Sequence, residues 1–150
     1  MKIIKAFNGK KILSLFWDQD GTPYFNAKGI AVGVFSGCFP FFGFQTLLGI
    51  FFARLINGNL VLAAIGTWIS NPFTYVPLYI LNFKVGSIFF KDNSKNIDFN
   101  ELIRDDIFNQ GWIFTSRLLL GSCLVGLCFG LSLGFLTFYL YRIRAQKKSL

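Results

Sequence analysis

The sequence predicts an all-α fold: an integral membrane helical bundle with two proline-broken helical segments and one clear C-terminal transmembrane helix. Three observations carry that expectation. Hydrophobic residues make up 53% of the 150 and aromatics 19%, yet only 15% are charged and the mean hydropathy is +0.52; soluble domains are about as apolar but about 25% charged. Residues 29–53 and 55–83 carry no charge, and each run is interrupted near its middle by proline, at Cys38-Phe39-Pro40-Phe41 and at Asn71-Pro72-Phe73-Thr74. A third run, residues 118–141, has neither charge nor proline. Each is long enough to cross a hydrocarbon layer of ~30 Å, which takes about 20 residues.

Residues 1–23 read as a basic amphipathic segment lying on a membrane surface. The apolar piece at residues 3–7 is too short for a signal peptide and is followed by Asn8-Gly9-Lys10-Lys11. Asp18-Gln19-Asp20-Gly21-Thr22-Pro23 is dense in turn formers and ends the segment.

Residues 24–90 form the broken-helix core. Gly29, Gly33 and Gly37 recur every four residues, so on a helix they make one smooth stripe that another backbone can approach closely. Pro40 and Gly43 stop or kink that helix, and residues 44–55 return as a second piece with Arg54 at an interface. Each half, about a dozen residues at 1.5 Å rise, spans roughly 18 Å. That length suits a re-entrant hairpin, while the competing arrangement is one kinked helix crossing the whole layer. Charge favours the hairpin. Lys2, Lys5, Lys10, Lys11 and Lys28 at the front and Arg142, Arg144, Lys147 and Lys148 at the back should both be cytoplasmic, which needs an even number of crossings.

Ile56-Asn57-Gly58-Asn59 is a polar turn, after which the plan repeats: residues 66–72 parallel residues 33–40, and Pro77 follows as a further break-forming residue. Paired broken helices point to a mid-membrane site in transporters. Residues 91–111 are a polar amphipathic connection in which Phe99, Leu102, Ile103 and Ile107 fall at helical spacing. Its acidic face, with Glu101, Asp105 and Asp106, suits a protein surface better than anionic lipid. Residues 112–150 are the C-terminal transmembrane helix and basic tail, with Trp112, Tyr139 and Tyr141 as interface anchors. Ser122, Gly126, Gly130 and Gly134 make a second small-residue stripe, suited to packing against the first or to a homo-oligomer or membrane-protein partner.

The net charge of +8 sits at the two ends, beside membrane segments, so the lipid bilayer is the expected partner and nucleic acid is not. Cys38, Cys123 and Cys128 show no CxxC spacing and the chain has no histidine, which argues against a zinc or haem site, against any metal or other cofactor, and against an ordinary hydrolase. A non-enzymatic role is therefore expected. The polar groups near the breaks are Gln45, Thr46, Ser70, Asn71 and Thr74, with Arg54 and Lys84 at the edges; these are the candidate ligand-binding residues, joined by carbonyls freed beside Pro40 and Pro72. Asn71 also suits a helix N-cap with Pro72 in the first turn. No acidic residue lies in either broken stretch, which argues against proton coupling through a membrane carboxylate. The leading expectation is binding or transport of a small solute, ion or lipid headgroup at the broken-helix centre, with Asn71 more important than Gln45. The alternative is a non-catalytic scaffold or assembly factor for a partner membrane protein.

Gly21-Thr22-Pro23, Gly29, Gly33, Pro40, Gln45 and Asn59, then Gly66-Thr67-Trp68-Ile69-Ser70-Asn71-Pro72-Phe73-Thr74, with Pro77, Tyr79 and Gly86, resemble the DUF2062 family of small bacterial membrane proteins. The resemblance covers residues 21–90. It implies a bacterial inner membrane but no established activity. Some members join a similar domain to a glycosyltransferase-like one, which hints at envelope lipid or polysaccharide work; 150 residues leave no room for such a partner domain.

Overall fold

The computed structural model describes residues 16, 19–41, 43–89 and 107–148. The basic segment expected at the N-terminus, Phe16 apart, and the amphipathic helix expected around residues 98–106 lie outside them. The described residues form a helical bundle without strands. Its helices are α1 (Pro23–Gly37), α2 (Phe44–Leu55), α3 (Leu60–Gly66) with a 3₁₀ turn (Thr67–Ile69), α4 (Tyr75–Phe89) and α5 (Ile107–Lys148).

Local chemistry sets the boundaries. α1 starts where Thr22 Oγ1 accepts from the Phe25 amide at 3.2 Å with Pro23 in the first turn, earlier than the uncharged run begins, because Lys28 is carried inside the helix. It ends at Cys38, and the chain turns through Gly43, whose φ of +81° would strain any residue with a side chain. α3 is capped by Asn59, whose Oδ1 accepts from the Val61 and Leu62 amides at 3.0 and 3.1 Å. α5 runs 42 residues, well beyond the uncharged stretch, and at 1.5 Å per residue is about 63 Å long.

α1 is the centre of the bundle. α2 folds back antiparallel to it: a Cβ on Gly49 would lie 3.5 Å from Gly33 Cα, and near the hairpin's base the Lys28 ammonium donates to the Ile56 carbonyl. The first broken segment is therefore a helical hairpin and not one kinked helix. α3 runs parallel to α1 in a fixed register, because Gly29, Gly33 and Gly37 face Asn59, Ala63 and Thr67 in turn. On its other side α1 meets α5 antiparallel, with Gly126 against Phe35 and Cys38, Gly130 against Ala31, and Gly134 against Ala27 and Ala31. The two small-residue stripes thus do not meet. The α1 stripe seats α3 and the glycines of the α5 stripe seat α1, so α1 meets these two neighbours on opposite faces.

α4 lies along the upper part of α5. Built at Gly121, a Cβ would fall 1.6 Å from the Asn82 carbonyl oxygen, and at Gly86 1.8 Å from that of Arg117, so the backbones touch without intervening side chains. The Phe83 and Phe114 rings stack there at 4.9 Å. Asn82 sits at the level of Cys38, so α4 continues for seven residues, about 10 Å, past the hairpin tip. At the other end Tyr141 donates to the Phe16 carbonyl and packs its ring on Phe16 at 5.6 Å, which places Phe16 beside the C-terminal part of α5.

Large apolar side chains crowd the outside of the bundle as well as its core, where polar residues are buried beside Leu62 and Cys38. Asn26 and Asn82 are completely buried, whereas Phe44, Trp112, Phe135 and Phe73 are 67 to 91% exposed. Among the described residues one helix, over residues 111–147, is long and apolar enough to cross a membrane.

Candidate functional site

At the first break, α1 stops against a proline and its last carbonyls lose their helical partners. Three side chains from other elements replace them. Asn82 on α4 donates through Nδ2 to the Cys38 carbonyl at 2.8 Å and to Ser122 Oγ on α5 at 2.9 Å; Ser122 in turn donates to the Leu118 carbonyl at 2.8 Å. Gln45 on α2 donates through Nε2 to the Phe39 carbonyl and to Tyr79 Oη at 3.1 Å, and Tyr79 donates to the same carbonyl at 3.4 Å. The hairpin tip is thereby tied to α4 and α5 by a polar clamp inside an apolar bundle. Alongside, Thr46 and Thr67 share a hydroxyl hydrogen bond of 3.1 Å between α2 and the end of α3.

The second break is a capping arrangement. Asn71 Oδ1 accepts from the Phe73 and Thr74 amides at 2.9 and 3.2 Å, while Thr74 Oγ1 accepts from the Asn71 amide at 2.9 Å and donates to the Ile69 carbonyl at 2.7 Å. This is the reciprocal logic of a capping box, with threonine in the place of the usual glutamate and Pro72 where its missing amide costs nothing. Pro72 and Phe73 face outward. Pro77 lies within the first turn of α4 and is exposed.

Both breaks stand at one level, since the Ile69 side chain borders Gly37 and Gly37 adjoins Cys38. Three oxygens near that level are buried without a hydrogen-bond partner among the described residues: Ser36 Oγ, Ser70 Oγ and Asn82 Oδ1. Ser36 and Asn82 as residues are 1% and 0% exposed. An unsatisfied buried polar atom costs about 1–3 kcal/mol, so each of these three oxygens weighs against the stability of the packed bundle.

Of the residues singled out from sequence, Gln45 and Thr46 sit at the first break, and Ser70, Asn71 and Thr74 at the second. Arg54 and Lys84 do not join them or each other. Both are exposed; Arg54 is near the base of the hairpin and Lys84 is beyond the clamp on α4. Sequence reasoning missed Asn82 and Ser36, and took Tyr79 only as part of a family pattern and Ser122 only as a packing residue. The available signal was a lone asparagine inside an apolar run, since polar groups at such positions almost always face the bundle interior.

A second polar knot holds the hairpin's base. Asn59 Nδ2 donates to Asn26 Oδ1 at 2.8 Å and to Gln19 Oε1 at 3.3 Å, and the Asn59 amide donates to the Phe25 carbonyl at 3.1 Å. Among the described residues no group of three acidic, cysteine or histidine side chains gathers as a metal site.

No curated protein and no solved structure matches the chain. A family model, described as "Uncharacterized protein conserved in bacteria (DUF2062)", matches residues 9–149. That span exceeds the 21–90 carrying the sequence resemblance, so the polar connection and α5 belong to the family pattern too. With nearly its whole length matched, the chain belongs to the DUF2062 family.

Proposed function

We propose that the chain is an integral protein of the bacterial inner membrane that binds, and passes, a small solute, ion or lipid headgroup at the level where the hairpin tip meets α4. The membrane part rests on the large apolar side chains that crowd the outside of the bundle and on α5, whose uncharged residues 118–141 extend about 36 Å, enough for the hydrocarbon layer with some tilt. In this reading the hairpin is re-entrant. Its arms of 15 and 12 residues, roughly 22 and 18 Å, are each too short to cross. α3 and α4 together cross once and α5 crosses back, leaving both basic ends on the cytoplasmic side.

The observation that carries the binding role is the set of unpartnered oxygens on Ser36, Ser70 and Asn82 beside a polar clamp. Hydroxyl and amide oxygens suit a ligand that donates hydrogen bonds or a weakly held cation, and they supply no acid or base for catalysis. The scaffold alternative is less well supported. Its natural surfaces, the small-residue stripes, are already filled by α1 and α3.

Cys38 tests the proposal, because it is fully buried and its carbonyl belongs to the clamp. With Cys123 and Cys128 changed to Ser, a small membrane-impermeant methanethiosulfonate is added to proteoliposomes from each side in turn. Labelling from one side shows that water reaches the centre. Protection from both sides, with full labelling after denaturation, means a dry packed centre and returns the assignment to a scaffold.

A further inference from the structure

A second feature lies outside the clamp, on the opposite face of α1 from α3. α1 and α5 meet there at Gly134, Ala27 and Ala31, which form the floor of an open groove of ≈ 520 Å³, with Leu131, Phe135, Phe138, Tyr24 and Lys28 completing its wall. Leu131 and Phe135 are 68% and 74% exposed, so the groove opens sideways. The antiparallel register of Gly134 against Ala27 and Ala31 puts Lys28 and Phe138 toward the end where Phe16 meets Tyr141, and Ala31 and Leu131 toward the middle of the bundle.

Lys28 is held in place. Its ammonium lies 4.8 Å from the centroid of the Tyr24 ring and donates to the Ile56 carbonyl. An ammonium has three donors, so the tether to Ile56 leaves capacity for a second oxygen ligand. Arg142, exposed on α5, is one helical turn beyond Phe138 and so falls on the same side of the helix. An apolar trough with cations only at its outer end has the polarity of an anionic phospholipid: phosphate at Lys28, one acyl chain along Ala27, Ala31, Leu131 and Phe135.

We infer that the α1–α5 groove is a specific site for one anionic phospholipid, its phosphate held by Lys28. The inference rests on the membrane reading but not on the clamp. The purified full chain in a non-ionic detergent is examined by native mass spectrometry with phosphatidylglycerol or phosphatidylcholine of matched acyl chains. Expected are one tightly held phosphatidylglycerol per chain and a preference over phosphatidylcholine. Lys28→Gln should weaken phosphatidylglycerol about fivefold, the factor matching the ~1 kcal/mol of one cation near a membrane surface. Lys28→Arg should restore it, and Arg54→Gln, which removes an exposed cation elsewhere, should leave it unchanged. Equal retention of the two lipids, or identical phosphatidylglycerol binding by the wild type and Lys28→Gln, overturns the site. Failure of the membrane reading is seen separately: the chain would then be released from membranes by carbonate at high pH.

Discussion

Gly33→Ala is a single-atom probe of how α3 seats on α1. A Cβ at residue 33 would stand 2.2 Å from the Ala63 carbonyl oxygen and 2.8 Å from the Ala63 carbonyl carbon and Cα, where ordinary contact begins at 3.4 Å. The obstacle is backbone, so no side chain can rotate away; α1 and α3 must part by about 1 Å, and a gap of that size already forfeits a quarter to a half of each dispersion contact along the seam. Overpacking of this kind costs about 1–3 kcal/mol. The same substitution gains ~1 kcal/mol in helix propensity, so a net loss of up to about 2 kcal/mol is expected. For a chain of this size that is a fall in Tm of up to roughly 8 °C. Gly111→Ala is the matched control, since nothing lies within 4 Å of its Cβ and only the propensity gain remains. Thermal unfolding followed by far-UV circular dichroism in detergent reads both. If Gly33→Ala melts at or above Gly111→Ala, the close parallel contact of α1 with α3 is wrong.

Two further substitutions divide the clamp from the cap. Asn82→Leu keeps the branched shape but strips the hydrogen bonds to the Cys38 carbonyl and Ser122; at about 0.6–1.7 kcal/mol for each interhelical bond in a bilayer-type interior, the melt should show a loss of at least about 1–3 kcal/mol. Asn71→Ala removes an N-cap and should cost about 1 kcal/mol in the same melt, while Asn71→Ser, which can still accept from those amides, should recover most of it.

How far the sequence could be read depended on the range of the interaction. The absence of charge over long runs and the prolines at residues 40 and 72 are local signals, and they mark the bundle and its two breaks. Asn71 as a cap was legible for the same reason: its partners are two and three residues away. The clamp was not, because Asn82 and Gln45 reach carbonyls whose exposure depends on how the hairpin tip docks, and the contacts span 44 residues in the case of Asn82 to Cys38. The sequence alone therefore ranks Asn71 over Gln45, whereas the geometry gives Asn71 a local cap and Gln45 a tie between the tip and α4. The glycines show the same division. Their four-residue spacing announces close packing, but that Gly33 meets Ala63 while Gly130 meets Ala31 is decided by the path of the chain. Gly121 and Gly86, where the closest backbone approaches occur, belong to no row of their own and gave no such signal.

The central claim is that the hairpin enters the bilayer and stops inside it while α4 continues outward. Spin labels on single cysteines replacing Asn57 at the hairpin's base, Phe41 at its tip and Phe89 at the end of α4, all exposed positions, measure this directly in a cysteine-free background in liposomes. Power saturation with oxygen and with a water-soluble nickel chelate gives the depth of each. The account predicts Asn57 in water on one face, Phe41 in the hydrocarbon with high oxygen and low nickel access, and Phe89 closer to the opposite face. Phe41 as open to nickel as Asn57 would contradict it, because the tip would then lie in water and the hairpin would not end inside the membrane.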